Sequence, residues 1–289
     1  MSRTDIQGTV ARGFEPVRDV FRDNFTLRRE IGAACAVYLR GEKVVDLWGG
    51  SRDEATGEPW EKDTLVLVFS TTKGMAATAV AVAHARGLFD YDDPVAKYWP
   101  EFAQQGKGAI TIRALLCHQA GLLNPRSLTA RAFNNPRLTN PADLDTPAFR
   151  AVEMPASNGV GTARAVARVY SSLALGGSEL GIDARTLRAL VEPATPPRSG
   201  QRDLVLGVDS SFSLGFLKPC DACRFGSSET AFGTPGAGGS FGFADPDIGL
   251  GFAYVMNRMG FYIADDPREK ALRDATYRCA ARAASLHLG

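Results

Sequence analysis

Apolar residues at Phe14, Val17, Val20, Phe21 and Phe25 recur every three or four positions, with Arg and Asp on the opposite face. That period predicts an amphipathic helix over residues 13–25. Two strand-like apolar runs follow, 33–39 and 43–48, on either side of Arg40-Gly41-Glu42, a pattern that predicts a short hairpin. A second hairpin is predicted late in the chain, where residues 240–244 and 250–256 flank Asp245-Pro246-Asp247-Ile248-Gly249. Asp266-Pro267 then opens a helical stretch running through Ala271, Ala275, Tyr277 and Cys279 toward Leu286, with proline just inside its start.

Between these ends the pattern is helical. Runs are predicted over 71–86 with a stop at Gly87, 111–119 with a stop at Gly121, 162–175 with a stop at Gly176, and 183–191. Thr111, Thr162 and Asp183 have the side chains that cap helix N-termini. The expected class is α+β: an antiparallel sheet formed from N- and C-terminal segments, with the terminal helices on one face and the middle helices on the other. A single domain over 1–289 is expected, with a sheet lobe of about 1–60 and 200–289 and a helical lobe of about 61–199. Residues 123–155, broken by Pro125, Pro136, Pro141 and Pro147, are the least regular stretch.

Composition narrows the function. With 289 residues and 45% hydrophobic content, the chain can bury a sizeable core. Lys and Arg total 33 against 32 Asp and Glu, so no net field draws in nucleic acid or an anionic membrane, and neither is expected as a partner. Residues 1–7 lack the apolar stretch of a secretory leader and no later run is long enough to span a bilayer, so a cytoplasmic protein is expected. The five cysteines (Cys35, Cys117, Cys220, Cys223 and Cys279) are scattered and expected to stay reduced. Cys220-Asp221-Ala222-Cys223 has the spacing of half a zinc site, but no second Cys pair or His cluster accompanies it, so neither metal nor cofactor is expected.

The chemistry concentrates at Phe69-Ser70-Thr71-Thr72-Lys73-Gly74-Met75, where an apolar run, 65–68, gives way to a helix. Ser70 and Lys73 lie one turn apart and share a helix face. A serine hydroxyl at the first turn sits in the positive end of the helix dipole, and a lysine whose pKa is lowered by burial can take its proton. The helix after it, Met75 to Ala83, is apolar nearly all round, as for a helix buried between two layers. Alone, Ser-x-x-Lys equally describes a capping serine with a surface lysine. Downstream, Gly236, Gly238 and Gly239 allow close backbone approach to a ligand, and the Ala237 N–H is a candidate partner for that of Ser70 in an oxyanion hole. The alternative for these glycines is tight packing at a sheet edge. His118 reads as a hydrogen-bonded scaffold residue.

The wider context resolves the serine motif. Gly87-Leu88-Phe89-Asp90-Tyr91-Asp92-Asp93-Pro94 and Leu115-Leu116-Cys117-His118-Gln119-Ala120-Gly121-Leu122 resemble the region after the nucleophile in beta-lactamase-related SxxK esterases, relatives of class C beta-lactamases and DD-peptidases. Val44-Val45-Asp46-Leu47-Trp48-Gly49-Gly50 resembles that family's second strand, and Asn158-Gly159-Val160-Gly161-Thr162 its cleft-lining loop. Phe232 to Ser240, with Thr234, Gly236 and Ala237, resembles the strand carrying its third motif. The resemblance implies a beta-lactamase/transpeptidase-like fold with Ser70 as nucleophile and Lys73 as its partner. Asn158 would line the cleft, and a small ester or amide would be the substrate.

The family pattern breaks in two places. The Tyr-x-Asn motif, whose tyrosine moves protons with the lysine, has no counterpart, since no tyrosine occurs between Tyr98 and Tyr170. Residues 132–136 resemble a segment far later in the family, which implies that a block of the helical lobe is missing. Thr234 stands where relatives commonly carry His or Lys. Tyr170 lies in an apolar helical period and is expected in the core. Two readings follow: an esterase-like serine hydrolase, impaired to some degree, or an inactive relative that binds a ligand or partner. Oligomeric state is left open.

Overall fold

A computed structural model describes residues 5–121, 146–198, 200–203, 207–262 and 264–286. Strands β2 (Gly32–Leu39) and β3 (Glu42–Gly50) form the predicted hairpin. Arg40 and Gly41 both take positive φ, 51° and 86°, the turn geometry that matches the right-handed twist of the strands. A strand that the apolar pattern does not reveal, β1 (Ile6–Val10), pairs with the outer edge of β3, Ile6 opposite Gly49 and Val10 opposite Val45. Its five residues hold a central Gly8 and only two large apolar side chains, too weak a period to stand out.

The C-terminal strands β9 (Phe241–Asp245) and β10 (Leu250–Met256) form the second hairpin. With β6 (Phe212–Ser213), β7 (Phe216–Leu217) and β8 (Phe232–Pro235), they complete an eight-stranded antiparallel sheet in the order β1-β3-β2-β10-β9-β8-β7-β6. β2 bonds directly to β10, so both ends of the chain share the sheet.

The two faces are filled differently, because side chains alternate along a strand. Phe241, Phe243, Phe252 and Tyr254 point toward the terminal helices α1 (Glu15–Leu27) and α7 (Pro267–Leu286), where they join Val17, Phe21, Leu272 and Ala275 in one core. The opposite face presents small residues, Ala36, Ala244 and Ala253, to α2 (Thr71–Ala85) and α5 (Ala163–Ala174). The sheet is so flat there that a Cβ on Gly251 would lie 2.3 Å from Ser171 N, and one on Gly242 2.5 Å from the Tyr170 ring. Bulk on one face and glycine on the other let α5 rest almost on the strand backbones.

The predicted caps are in place. Thr111, Thr162 and Asp183 accept from the backbone N–H groups of Ala114, Ala165 and Thr186 at the heads of α3 (Ile112–Leu116), α5 and α6 (Ala184–Val191). α3 ends earlier than the apolar pattern suggests, because His118 turns left-handed at φ 59° before Gly121 is reached. Of the irregular stretch 123–155, residues 123–145, the segment 132–136 among them, lie outside the described residues. A short helix, α4 (Pro147–Arg150), follows. Among the described residues no helix is long and apolar enough to cross a membrane.

Candidate active site

Strand β4 (Val66–Leu67) pairs with β5 (Val160–Gly161) in a small sheet of its own and delivers the chain to the head of α2. Between them Phe69 is held at φ 45°, an unfavourable conformation for a bulky residue and one that tends to persist at functional sites. Ser70 follows at the N-cap position of α2. One turn on, Lys73 Nζ donates to Ser70 Oγ at 2.9 Å and to the Ala156 carbonyl at 2.7 Å. Burial lowers the Lys73 pKa, since low-dielectric surroundings disfavour the ammonium. Serine and lysine therefore meet, with the lysine shifted toward its proton-accepting form.

The loop that supplies Ala156 is latched onto α2. Val68 N donates to Gly159 O and Gly159 N to Thr72 Oγ1, both at 2.9 Å. A Cβ on Gly159 would lie 2.7 Å from Thr72 Oγ1, so the loop backbone approaches the helix as closely as glycine allows. Asn158 plays a different part from the one its sequence context implies. Its Nδ2 donates to the carbonyls of Phe149 (3.2 Å) and Val152, and its Oδ1 accepts from Met154 N at 3.2 Å. Those bonds occupy the amide within its own loop, where it shapes the wall without presenting a polar group to the cleft.

The other wall is the segment 236–239. The expected glycine-rich strand is instead the turn between β8 and β9, with Gly238 at φ 90° and Gly239 at φ 118°. Its seat beside the head of α2 is a chain of hydroxyl contacts. Thr71 Oγ1 donates to Thr234 O at 3.1 Å and lies 3.1 Å from Ser240 Oγ, which donates to Val68 O at 2.8 Å. Gly236 N donates to Ser240 O at 2.7 Å and closes the turn. The exposed Ala237 forms its tip. Among the described residues neither Ser70 N–H nor Ala237 N–H has an intramolecular acceptor, the condition for two amides that are to receive an oxyanion.

A buried ion cluster braces this turn from behind. Arg268, 4% exposed, donates through Nη2 to Gly238 O (2.7 Å) and Asp266 Oδ2 (2.8 Å) and through Nε to Asp266 Oδ1 (2.9 Å). Through Nη1 it reaches Glu30 and the Arg258 carbonyl at 2.8 Å, and the Tyr254 hydroxyl donates to Glu30 as well. A Cβ on Gly239 would lie 2.8 Å from Asp266 Oδ2, so the turn fits against this cluster only as glycine.

Thr234 contributes its carbonyl, not its side chain. Its buried hydroxyl faces inward beside that of Tyr170. A Cβ on Gly74 would lie 2.9 Å from the first and 2.1 Å from the second. Tyr170 is fully buried in the core, as its helical period implies, and burial raises its pKa. Among the described residues it makes no hydrogen bond to Ser70 or Lys73. Tyr91 is buried too and stacks on His84 at 4.3 Å. His118 stacks on Phe212 at 4.2 Å, and its pKa is lowered chiefly by partial desolvation and further by the charge of Lys73.

Two parts of the site carried no sequence signal. The Ala156 acceptor is a backbone carbonyl, and Arg268 stands far from Gly238 in the chain. Cys220 and Cys223 pair as an antiparallel bridge with free thiols, and no group able to hold a metal ion occurs among the described residues.

With this geometry in view, the comparisons with known proteins agree. The Beta-lactamase family model matches residues 17–139 and 128–276. The esterase/beta-lactamase LipL of Mycobacterium tuberculosis is 30% identical over 353 aligned residues, covering 85% of this chain and 81% of LipL. Because 353 aligned positions exceed the 289 residues of this chain, LipL carries residues that have no counterpart here. A family VIII carboxylesterase superposes with a TM-score of 0.86 at 33% identity, covering 95% of this chain and 100% of its own. A penicillin-binding protein homologue from Caulobacter crescentus superposes at 0.80 and 31%, covering 96% and 100%. The chain belongs to the Beta-lactamase family and is a serine hydrolase of the beta-lactamase-related superfamily.

Proposed function

We propose that the protein hydrolyses small carboxylic esters through an acyl intermediate on Ser70, with Lys73 as general base and the N–H groups of Ser70 and Ala237 as oxyanion hole. The observation that carries this reading is the 2.9 Å contact between Lys73 Nζ and Ser70 Oγ, made by a lysine whose pKa burial lowers. Neutral Lys73 takes the Ser70 proton as Oγ attacks the ester carbonyl, and the resulting oxyanion lies against the two amides. The alcohol departs with the proton returned from Lys73. Water then attacks the acyl-enzyme, losing its proton to the same lysine, which passes it to Ser70 Oγ as the C–O bond to serine breaks and the acid is released. Esters are favoured over amides, because an alcohol or phenol leaves with less help from an acid than an amine does, and among the described residues no tyrosine shares the proton transfer with Lys73. Five free thiols support a cytoplasmic setting for this chemistry.

Intact-mass measurement after exposure to a fluorophosphonate and to p-nitrophenyl acetate tests the proposal. One adduct on Ser70 is expected from each reagent, and none from a folded Ser70→Ala variant. A folded wild-type protein that stays unmodified after long incubation would overturn it.

A further inference from the structure

We propose that Cys220 and Cys223 are a redox pair that closes reversibly into a disulfide by exchange with the disulfide of a small thiol, Cys220 reacting first and Cys223 resolving. The inference stands apart from the ester-hydrolase reading and uses none of its residues. Cys220 N donates to Cys223 O at 3.1 Å and Cys223 N to Cys220 O at 3.0 Å, so the two are a directly opposed pair closing the two-residue turn Asp221-Ala222. Opposed residues that exchange both backbone bonds have Cα atoms about 5.5 Å apart, within the span of about 4.4–6.8 Å that a disulfide bridges. Their side chains also leave the ribbon on the same side. That side is the core beneath the terminal helices, where Cys223 is buried and Cys220 packs against the same cluster. Closing the bond therefore calls for side-chain rotation and no change of backbone register.

The surroundings hold the pair in place and separate the two roles. Phe225 is buried edge-to-face on Phe241 at 5.1 Å, and Arg273 donates to the Arg224 carbonyl, so the chain leaving the turn is fixed to the sheet and to α7. Cys35, Cys117, Cys223 and Cys279 are buried whereas Cys220 is partly exposed, so a reagent in solution meets Cys220 first. Burial pushes the Cys223 thiol up to about 12, which makes it a poor first nucleophile. Its advantage is position, beside Cys220, in an intramolecular second step. Among the described residues no group of three Cys, His, Asp or Glu side chains is placed to hold a metal ion, so the pair lacks the further ligands of a zinc site. In the exchange, Cys220 loses its proton to solvent and its thiolate attacks one sulfur of the small disulfide, forming a mixed disulfide and releasing one thiolate. Cys223 then loses its proton, attacks Cys220 Sγ and expels the second thiolate. The two thiolates take up the two protons, so the protein is oxidised by two electrons and the small disulfide is reduced by the same two.

The test incubates the full chain with oxidised glutathione, quenches samples over time with iodoacetamide, and reads intact mass and a peptide map. The wild type should pass through a single glutathione adduct on Cys220 to a species lighter by two hydrogens than the reduced protein, with Cys220 joined to Cys223. Dithiothreitol should return the dithiol. Cys223→Ala should stop at the adduct, and Cys220→Ser should react at least about tenfold more slowly, because only buried thiols remain. Should Cys223→Ala fail to fold, the wild-type time course and Cys220→Ser decide the matter. Ser70→Ala should oxidise as the wild type does, which keeps this outcome separate from the fate of the hydrolase reading. An adduct on Cys220 that never resolves in the folded wild type, a bond from Cys220 to any other cysteine, or closure only in denaturant would overturn the pair. A zinc ion that binds the reduced wild type, blocks its oxidation and is lost in Cys220→Ser would also overturn it, by making the two thiols metal ligands.

Discussion

On one side of Ser70 stands the 236–239 turn, fixed by Arg268, Asp266 and Glu30 in the protein interior; on the other stands the 154–159 loop, fixed by the Asn158 amide and a few backbone bonds near the surface. In the proposed mechanism both walls offer backbone groups, N–H of Ala237 from one and C=O of Ala156 from the other. They are held by very different means. A guanidinium fully bonded among carboxylates and carbonyls in low dielectric permits one geometry, because any displacement strands a buried charge. The loop wall relies on neutral hydrogen bonds that water can replace. The contrast teaches that the oxyanion side demands positional accuracy, whereas the lysine side needs chiefly an acceptor near Nζ.

Removing Lys73, which bonds Ser70 Oγ and the Ala156 carbonyl, should have the largest effect. Lys73→Met is expected to slow Ser70 acylation by about 10²–10⁴-fold, the usual worth of a general base, without unfolding the chain. The wild-type rate should also rise with pH, since only the neutral amine accepts the serine proton. The rise should level off below the ordinary lysine value of 10.5, because burial lowers the Lys73 pKa. A pH-rate profile of p-nitrophenyl acetate hydrolysis checks both the direction and the position of the plateau. A rate that falls across that range would remove Lys73 from the role of base.

Next in size is the turn wall. Arg268→Met leaves Glu30 and Asp266 buried without their cation and should cost about 3–5 kcal/mol of stability, read from the urea midpoint. The variant that remains folded at low temperature should also acylate more slowly, since Gly238 O has lost its strongest donor. A midpoint within about 1 kcal/mol of wild type would show that the turn is not anchored by this cluster.

The smallest change is expected at the loop wall. Asn158→Ala removes three neutral hydrogen bonds whose partners can turn to water, so stability should fall by about 1 kcal/mol and acylation by less than tenfold. If Asn158→Ala proved as damaging as Arg268→Met, the two walls would be equally rigid and the distinction between them would fall.

Much of this protein was legible along the chain. The helical period at Phe14 to Phe25, the alternating runs around Arg40-Gly41 and the caps at Thr111, Thr162 and Asp183 are local patterns, and local sterics and burial realise them much as written. Ser70 and Lys73 were legible for the same reason, because a helix converts a spacing of three into a shared face. The edge strand β1 was not, since its pairing is decided by the free edge of β3 and not by its own weak period.

What only the tertiary structure decided is how distant backbone meets. The glycines at 236, 238 and 239 predict close approach but not a turn in place of a strand, nor that Arg268 would hold it. Asn158 is marked by its motif, yet whether its amide faces the cleft or its own loop depends on the carbonyls of Phe149 and Val152 arriving beside it. Thr234 reads as a site residue, but the two-residue alternation of β8 turns its hydroxyl inward onto Gly74 and Tyr170. Sequence specifies periodic burial and the chemistry of neighbours within a helical turn. Contacts made by carbonyls and amides carry no side-chain signature, so their partners emerge only when the sheet closes between the two ends of the chain.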